Sequence, residues 1–142
     1  MQREYLLEEL GDVVSEFLKS PLTPLKGGAA VLGFSGNLGA GKTTFTKELL
    51  RQLGHEGGVP SPTFVLRRDY MVDSKKVIHI DAYRLEKPEH IYQVISKEEL
   101  EDKNNLIIVE WPEKSENIFD AIYLFEHVDE NTRRISVQKN NN

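Results

Sequence analysis

A chain of 142 residues, 39% hydrophobic and 29% charged, has the size and balance of one globular domain, residues 1–142. The absence of cysteine excludes disulfides and thiolate metal sites, and the four histidines (His55, His79, His90 and His127) lack metal-ligand spacing. A formal net charge of −5 with scattered basic residues argues against a domain that grips nucleic acid alone.

The first expected element is a helix over 4–19, where Leu6, Leu7, Leu10, Val13, Val14, Phe17 and Leu18 form one stripe at spacings of three and four. This acidic, amphipathic start does not suit a signal peptide. No apolar run approaches the roughly 20 residues of a membrane span, so the expected location is the cytoplasm, with no membrane association. The stretch SPLTPLKGG, Ser20–Gly28, ends the helix with two prolines and two glycines. AAVLGFSG, Ala29–Gly36, reads as a buried strand, and Lys42–Leu53 returns to helical spacing, with Gly54 as its stop. Thr63–Tyr70 and Lys76–Tyr83 alternate in twos around MVDSK and are expected to pair as a hairpin. Residues 87–102 should be helical in two pieces. NLIIVEW, Asn105–Trp111, is a further buried strand, and Ala121–Val128 with Thr132–Gln138 form a final hairpin. The tail KNNN, Lys139–Asn142, is expected to fray. The order implies an α/β protein of three layers with a mixed sheet, parallel and antiparallel.

Between the first strand and the second helix lies GNLGAGKT, Gly36–Thr43. Two glycines five apart, then lysine, then threonine, match the phosphate-binding P-loop. The glycines let the backbone turn where a Cβ would clash, so that successive amide groups point inward. The helix that follows offers free amides and a dipole that favour an anion. Lys42 brings a mobile positive charge to the β- and γ-phosphates, and Thr43 a hydroxyl for magnesium. Gly36, Asn37, Leu38, Gly39, Ala40, Gly41, Lys42, Thr43 and Thr44 are therefore the expected cofactor-binding run, and ATP with Mg2+ the expected cofactors. A magnesium site needs a further oxygen ligand, usually an acid at the end of a buried strand. Asp81 ends VIHID and Glu110 ends LIIVE, and both are candidates. No guanine-reading NKxD phrase occurs, which favours ATP over GTP.

Several phrases together resemble the bacterial TsaE (YjeE) family: GNLGAGKTTFTK, SPTF (Ser61–Phe64), HIDAYRL (His79–Leu85) and VEWPE (Val109–Glu113), in the family's order and spacing. The resemblance covers about residues 4–137. It implies a P-loop α/β ATPase that works with TsaD-like and TsaB-like proteins in making N6-threonylcarbamoyladenosine at position 37 of tRNA. Hydrolysis resets that complex between cycles, and tRNA is met only through it. The resemblance further implies that Thr43 and Glu110 hold magnesium and that Thr63 senses the γ-phosphate. Asp81 would lie near the metal and water, with Lys42, Asp81, Glu110 and Thr63 as the reacting set. Trp111 would lie beside the site, a basic residue of the last hairpin (Arg133 or Arg134) near the nucleotide, and residues 3–5 near the nucleoside. After YRL the family usually carries a Leu-Gly-Leu-like turn, whereas this chain reads HIYQVISKEEL.

Two rivals share the P-loop. A small-molecule kinase would need an acceptor pocket and usually an arginine-bearing lid, yet Arg84 is the sole arginine between Tyr83 and Asn105. A non-hydrolysing nucleotide-dependent binding module would need fewer acids than Asp81 and Glu110 supply.

Overall fold

The structure, a computed structural model, describes residues 2–19, 27–37, 39–57, 66–73 and 75–139. Its centre is a seven-stranded sheet: β1 (Gln2–Leu6), β2 (Ala30–Ser35), β3 (Arg67–Val72), β4 (Lys75–Asp81), β5 (Asn105–Glu110), β6 (Ala121–Asp129) and β7 (Thr132–Lys139). The spatial order is β1-β7-β6-β2-β5-β4-β3. The four middle strands, β6, β2, β5 and β4, run parallel, and β1, β7 and β3 add antiparallel edges. This is the expected mixed sheet. β5 is buried along its whole length, as a near-continuous apolar run in a central parallel strand should be.

Helices cover both faces. α1 (Leu10–Lys19) and α2 (Lys42–Gln52) pack on one, where Val13, Val14, Phe45, Leu49 and Leu50 meet Leu32, Phe34 and Phe125. α3 (Ile91–Val94) and α4 (Lys97–Glu101) flank the other, where Ile91 and Ile95 meet Ile78, Ile80, Ile107 and Val109. Phe45 of α2 stands edge-on to Phe34 of β2 (5.7 Å between ring centres) and to Phe125 of β6 (5.2 Å). Such pairs contribute about 0.5–1.5 kcal/mol each beyond their buried area. They clamp the helix after the glycine loop to the strand before it.

The expected N-terminal helix divides. Gln2–Leu6 is a strand, Leu7–Glu9 a single 3-10 turn, and only Leu10–Lys19 is α-helical. The reason is tertiary: Gln2–Leu6 pairs antiparallel with Thr132–Ser136 of β7, and Tyr5 is buried against the α1–α2 face. The hairpin of β3 and β4 has only residues 73 and 74 between its strands, with Asp73 at φ 50°, a tighter turn than MVDSK suggests. Residues 63–65, read as the start of that hairpin, lie outside the described residues. The expected helical pieces between 87 and 102 are present, and α4 is capped by Ser96, whose hydroxyl accepts the Glu99 amide. Lys139 completes β7 rather than fraying, and 140–142 lie outside the described residues. Among the described residues no helix is long and apolar enough to cross a membrane.

β2 is held close to the turn after β5. A Cβ at Gly33 would lie 2.7 Å from Pro112 Cβ and 3.2 Å from Ile122 Cγ1. Gly33→Ala should therefore push Pro112, and Trp111 before it, off the strand. The expected cost is about 1–3 kcal/mol, a melting temperature lower by about 2–12 °C. An unchanged melting curve would mean that this contact gives way freely.

Candidate active site

The parallel strands all point their carboxyl ends to one edge of the sheet, the usual place for a ligand in such folds. β2 delivers Gly36 there. β5, beside it, delivers Glu110 opposite Phe34, and β4, next again, delivers Asp81 opposite Glu110. Adjacency of the three strand ends thus brings the glycine loop and both acids together from positions far apart in the chain.

The loop has the backbone its glycines permit. Gly36, Gly39 and Gly41 have φ of 141°, 81° and 106°. A Cβ at Gly36 would strike the Phe125 carbonyl oxygen at 2.4 Å, whereas the space beside Gly39 is open within 4 Å. Asn37 and Gly39 are exposed, Ala40 is buried, and the Asn37 carbonyl accepts the Ala40 amide at 3.1 Å. Leu38 lies outside the described residues. α2 starts at Lys42 with its first-turn amides unspent inside the helix, beside half-buried Thr43 and exposed Thr44.

Lys42 is 5% exposed. Its ammonium donates to the Gly36 carbonyl at 2.5 Å, lies 4.0 Å from Glu110 Oε1 and sits 4.5 Å from the centre of the Trp111 ring. Burial pushes its pKa below the ordinary lysine range, while Glu110, Asp81 and Glu113 pull it back. At 4.0 Å the Glu110 carboxylate is too far to accept a hydrogen bond from the ammonium, so Lys42 can still donate to an anion held by the glycine loop.

Glu110 is buried too, with Oε2 2.6 Å from His79 Nε2. Asp81 is half-buried and accepts the Tyr83 amide at 2.9 Å. Among the described residues no group of three or more His, Asp or Glu could hold a metal by itself. Magnesium is commonly held by one or two carboxylates together with phosphate oxygens, and the oxygen set here (Thr43 hydroxyl, Glu110, Asp81) fits that mode. Trp111 follows Glu110 in the left-handed region, φ 58° and ψ 53°, and its amide donates to the Phe34 carbonyl at 3.3 Å. That backbone turns the ring back over Lys42 and against Tyr83, 5.1 Å between ring centres.

The last hairpin separates its two arginines. Arg133 pairs with Tyr5 across β7 and β1, and both flank the loop: from the Cβ position of Gly41, Tyr5 Oη is 3.6 Å and Arg133 Cγ 3.7 Å away. Burial raises the Tyr5 pKa, and Arg133 opposes that rise. Arg134 points to the opposite face, bonded to Glu4 at 2.5 Å and Glu126 at 3.3 Å. Of the two basic residues expected near the nucleotide, Arg133 stands at the loop and Arg134 does not. Thr63 lies outside the described residues. Neither His79 nor Glu113, which accepts the Ser35 hydroxyl at 3.1 Å, stands out in the sequence as a site residue.

The model of the family described as threonylcarbamoyl adenosine biosynthesis protein TsaE matches residues 3–140. The chain is 35% identical over 139 residues to the tRNA threonylcarbamoyladenosine biosynthesis protein TsaE of Aquifex aeolicus, covering 96% of each. It is 34% identical over 101 residues to the protein of that name from Haemophilus influenzae, covering 71% of this chain and 63% of that one. The crystal structure of Bacillus subtilis YdiB has the same fold, with a TM-score of 0.66 and 21% identity over 98% of this chain and 86% of that one.

Proposed function

This chain belongs to the TsaE family of threonylcarbamoyl adenosine biosynthesis proteins, and from that premise we propose that it binds and hydrolyses ATP within the machinery that makes N6-threonylcarbamoyladenosine in tRNA. The observation that carries the reading is the buried Lys42 ammonium, held between the Gly36 carbonyl and Glu110 at the mouth of the glycine loop. The backbone amides of residues 36–44 would hold the phosphates. Thr43 and Glu110 would hold Mg2+, which when bound supplies positive charge to the β- and γ-phosphates. Lys42 would stabilise the charge that builds up in the transition state. Asp81, one strand further on, would bear on the attacking water, and Trp111 would shield that side from solvent. Thr63 is assigned the γ-phosphate contact by its place in SPTF alone. The whole chain acts as one ATPase domain in the cytoplasm, and TsaD-like and TsaB-like proteins are the partners that its hydrolysis resets.

The charge distribution supports contact with tRNA through those partners only. Phosphate-backbone affinity grows with the number of phosphates neutralised and falls steeply with salt. Here Arg3, Arg51, Arg67, Lys76, Lys97 and Arg134 are each already engaged with an acid. The isolated chain should show no submicromolar tRNA binding in a mobility shift near 150 mM salt. Its ATP turnover should rise when TsaD-like and TsaB-like proteins are added. Tight binding by the chain alone would contradict the first expectation. Turnover indifferent to partners, or phosphorylation of an added metabolite, would contradict the proposed role.

A further inference from the structure

The contact between His79 and Glu110 lies behind the phosphate cradle. His79 is 1% exposed and Glu110 5%. On parallel strands β4 and β5, Asp81 stands opposite Glu110, and His79 stands one same-face step back, opposite Ile108. The Glu110 side chain therefore leans back along the sheet to bring Oε2 within 2.6 Å of His79 Nε2, which leaves Oε1 4.0 Å from Lys42 Nζ. A carboxylate and an ammonium this close and this dry would otherwise close on each other, because their attraction rises steeply in a low-dielectric interior.

We propose that His79 is a positioning residue for Glu110: its Nε2–H donates to Oε2, fixes the plane of the carboxylate, and holds Oε1 off Lys42 so that it faces the loop as an oxygen ligand for a divalent cation. This rests on reading Glu110 as an acid that would hold magnesium. Groups that orient a ligand in this way typically matter 10–100-fold in metal affinity. The simpler alternative is a core histidine that satisfies its own hydrogen bond and does nothing for the metal.

The test is manganese binding, followed by electron paramagnetic resonance, to the full chain with a non-hydrolysable ATP analogue, beside nucleotide affinity measured in excess chelator. His79→Leu should weaken manganese binding about 10-fold or more, beyond any loss of metal-free nucleotide affinity that Oε1 causes by closing on Lys42. His79→Gln, whose amide nitrogen falls where Nε2 stood, should restore it. His79→Asn, whose amide nitrogen falls where Nδ1 stood, should not, and the Gln–Asn comparison decides the matter should the Leu variant fail to fold. Manganese affinity unchanged in the Leu and Asn variants, while Glu110→Gln lowers it, overturns the role of His79 alone. Manganese affinity indifferent to Glu110→Gln overturns the reading of Glu110, and that of His79 with it.

Discussion

Lys42→Ala should weaken ATP binding about 10- to 150-fold and abolish measurable turnover. The binding figure follows from losing one charge-assisted contact, about 1.5–3 kcal/mol. The loss in turnover is larger because charge on the transferring phosphoryl group is greatest in the transition state. Removing one preorganised donor there typically costs about 100- to 1,000-fold. Lys42 is suited to this sensitivity. Its ammonium is buried, its hydrogen-bond acceptor among the described residues is the Gly36 carbonyl, and burial has already pushed its pKa down. A phosphate would thus meet a weakly solvated cation that needs little further desolvation. Nucleotide affinity from calorimetry and steady-state phosphate release give the two numbers separately. Near-normal kcat in a folded variant would remove Lys42 from the mechanism.

Glu110→Gln should spare binding: small changes in metal-free nucleotide affinity and a fall in turnover of about 100-fold or more, since a bound metal stabilises charge by several kcal/mol. The substitution keeps the shape. Its amide oxygen can still accept from His79, so the sheet around β5 should stay intact. It removes the anion 4.0 Å from Lys42 and one oxygen that magnesium would need. Because Glu110 is the strongest of the three acids that pull the Lys42 pKa back up, Lys42 should also lose its proton more readily in this variant. A magnesium titration of kcat separates the roles. Should its midpoint stay put in Glu110→Gln and move strongly in Asp81→Asn, Asp81 is the ligand and the two acids exchange parts.

The glycine loop and its two acids were legible in the sequence because each is written locally. Gly36–Thr43 is continuous, Asp81 ends VIHID, and Glu110 ends LIIVE shortly before Pro112. What was hidden depends on pairing at a distance. Glu4–Leu6 reads as helix since Leu6 and Leu7 join the stripe of Leu10, Val13 and Val14. Only its partner some 130 residues later makes it a strand, and five residues are too few for a period of two to outvote one of 3.6. Arg133 and Arg134 looked interchangeable near the nucleotide, yet one residue along a strand means the opposite face of the sheet. His79 escaped notice because a histidine inside VIHID has the look of ordinary core. Its alternation with Asp81 was a signal, but its meaning needed the register of β4 against β5.

The first strand lies alongside the last, and that order has a bearing on how the molecule is made. A ribosome releases Gln2–Leu6 long before Thr132–Ser136 exists, so the edge that carries Tyr5 must wait for almost the entire chain to emerge. Until then the glycine loop lacks the wall that Tyr5 and Arg133 form beside Gly41. Contacts of such large sequence separation form slowly. A truncated translation product ending before Thr132 would therefore carry every residue of the glycine loop without the Tyr5–Arg133 wall.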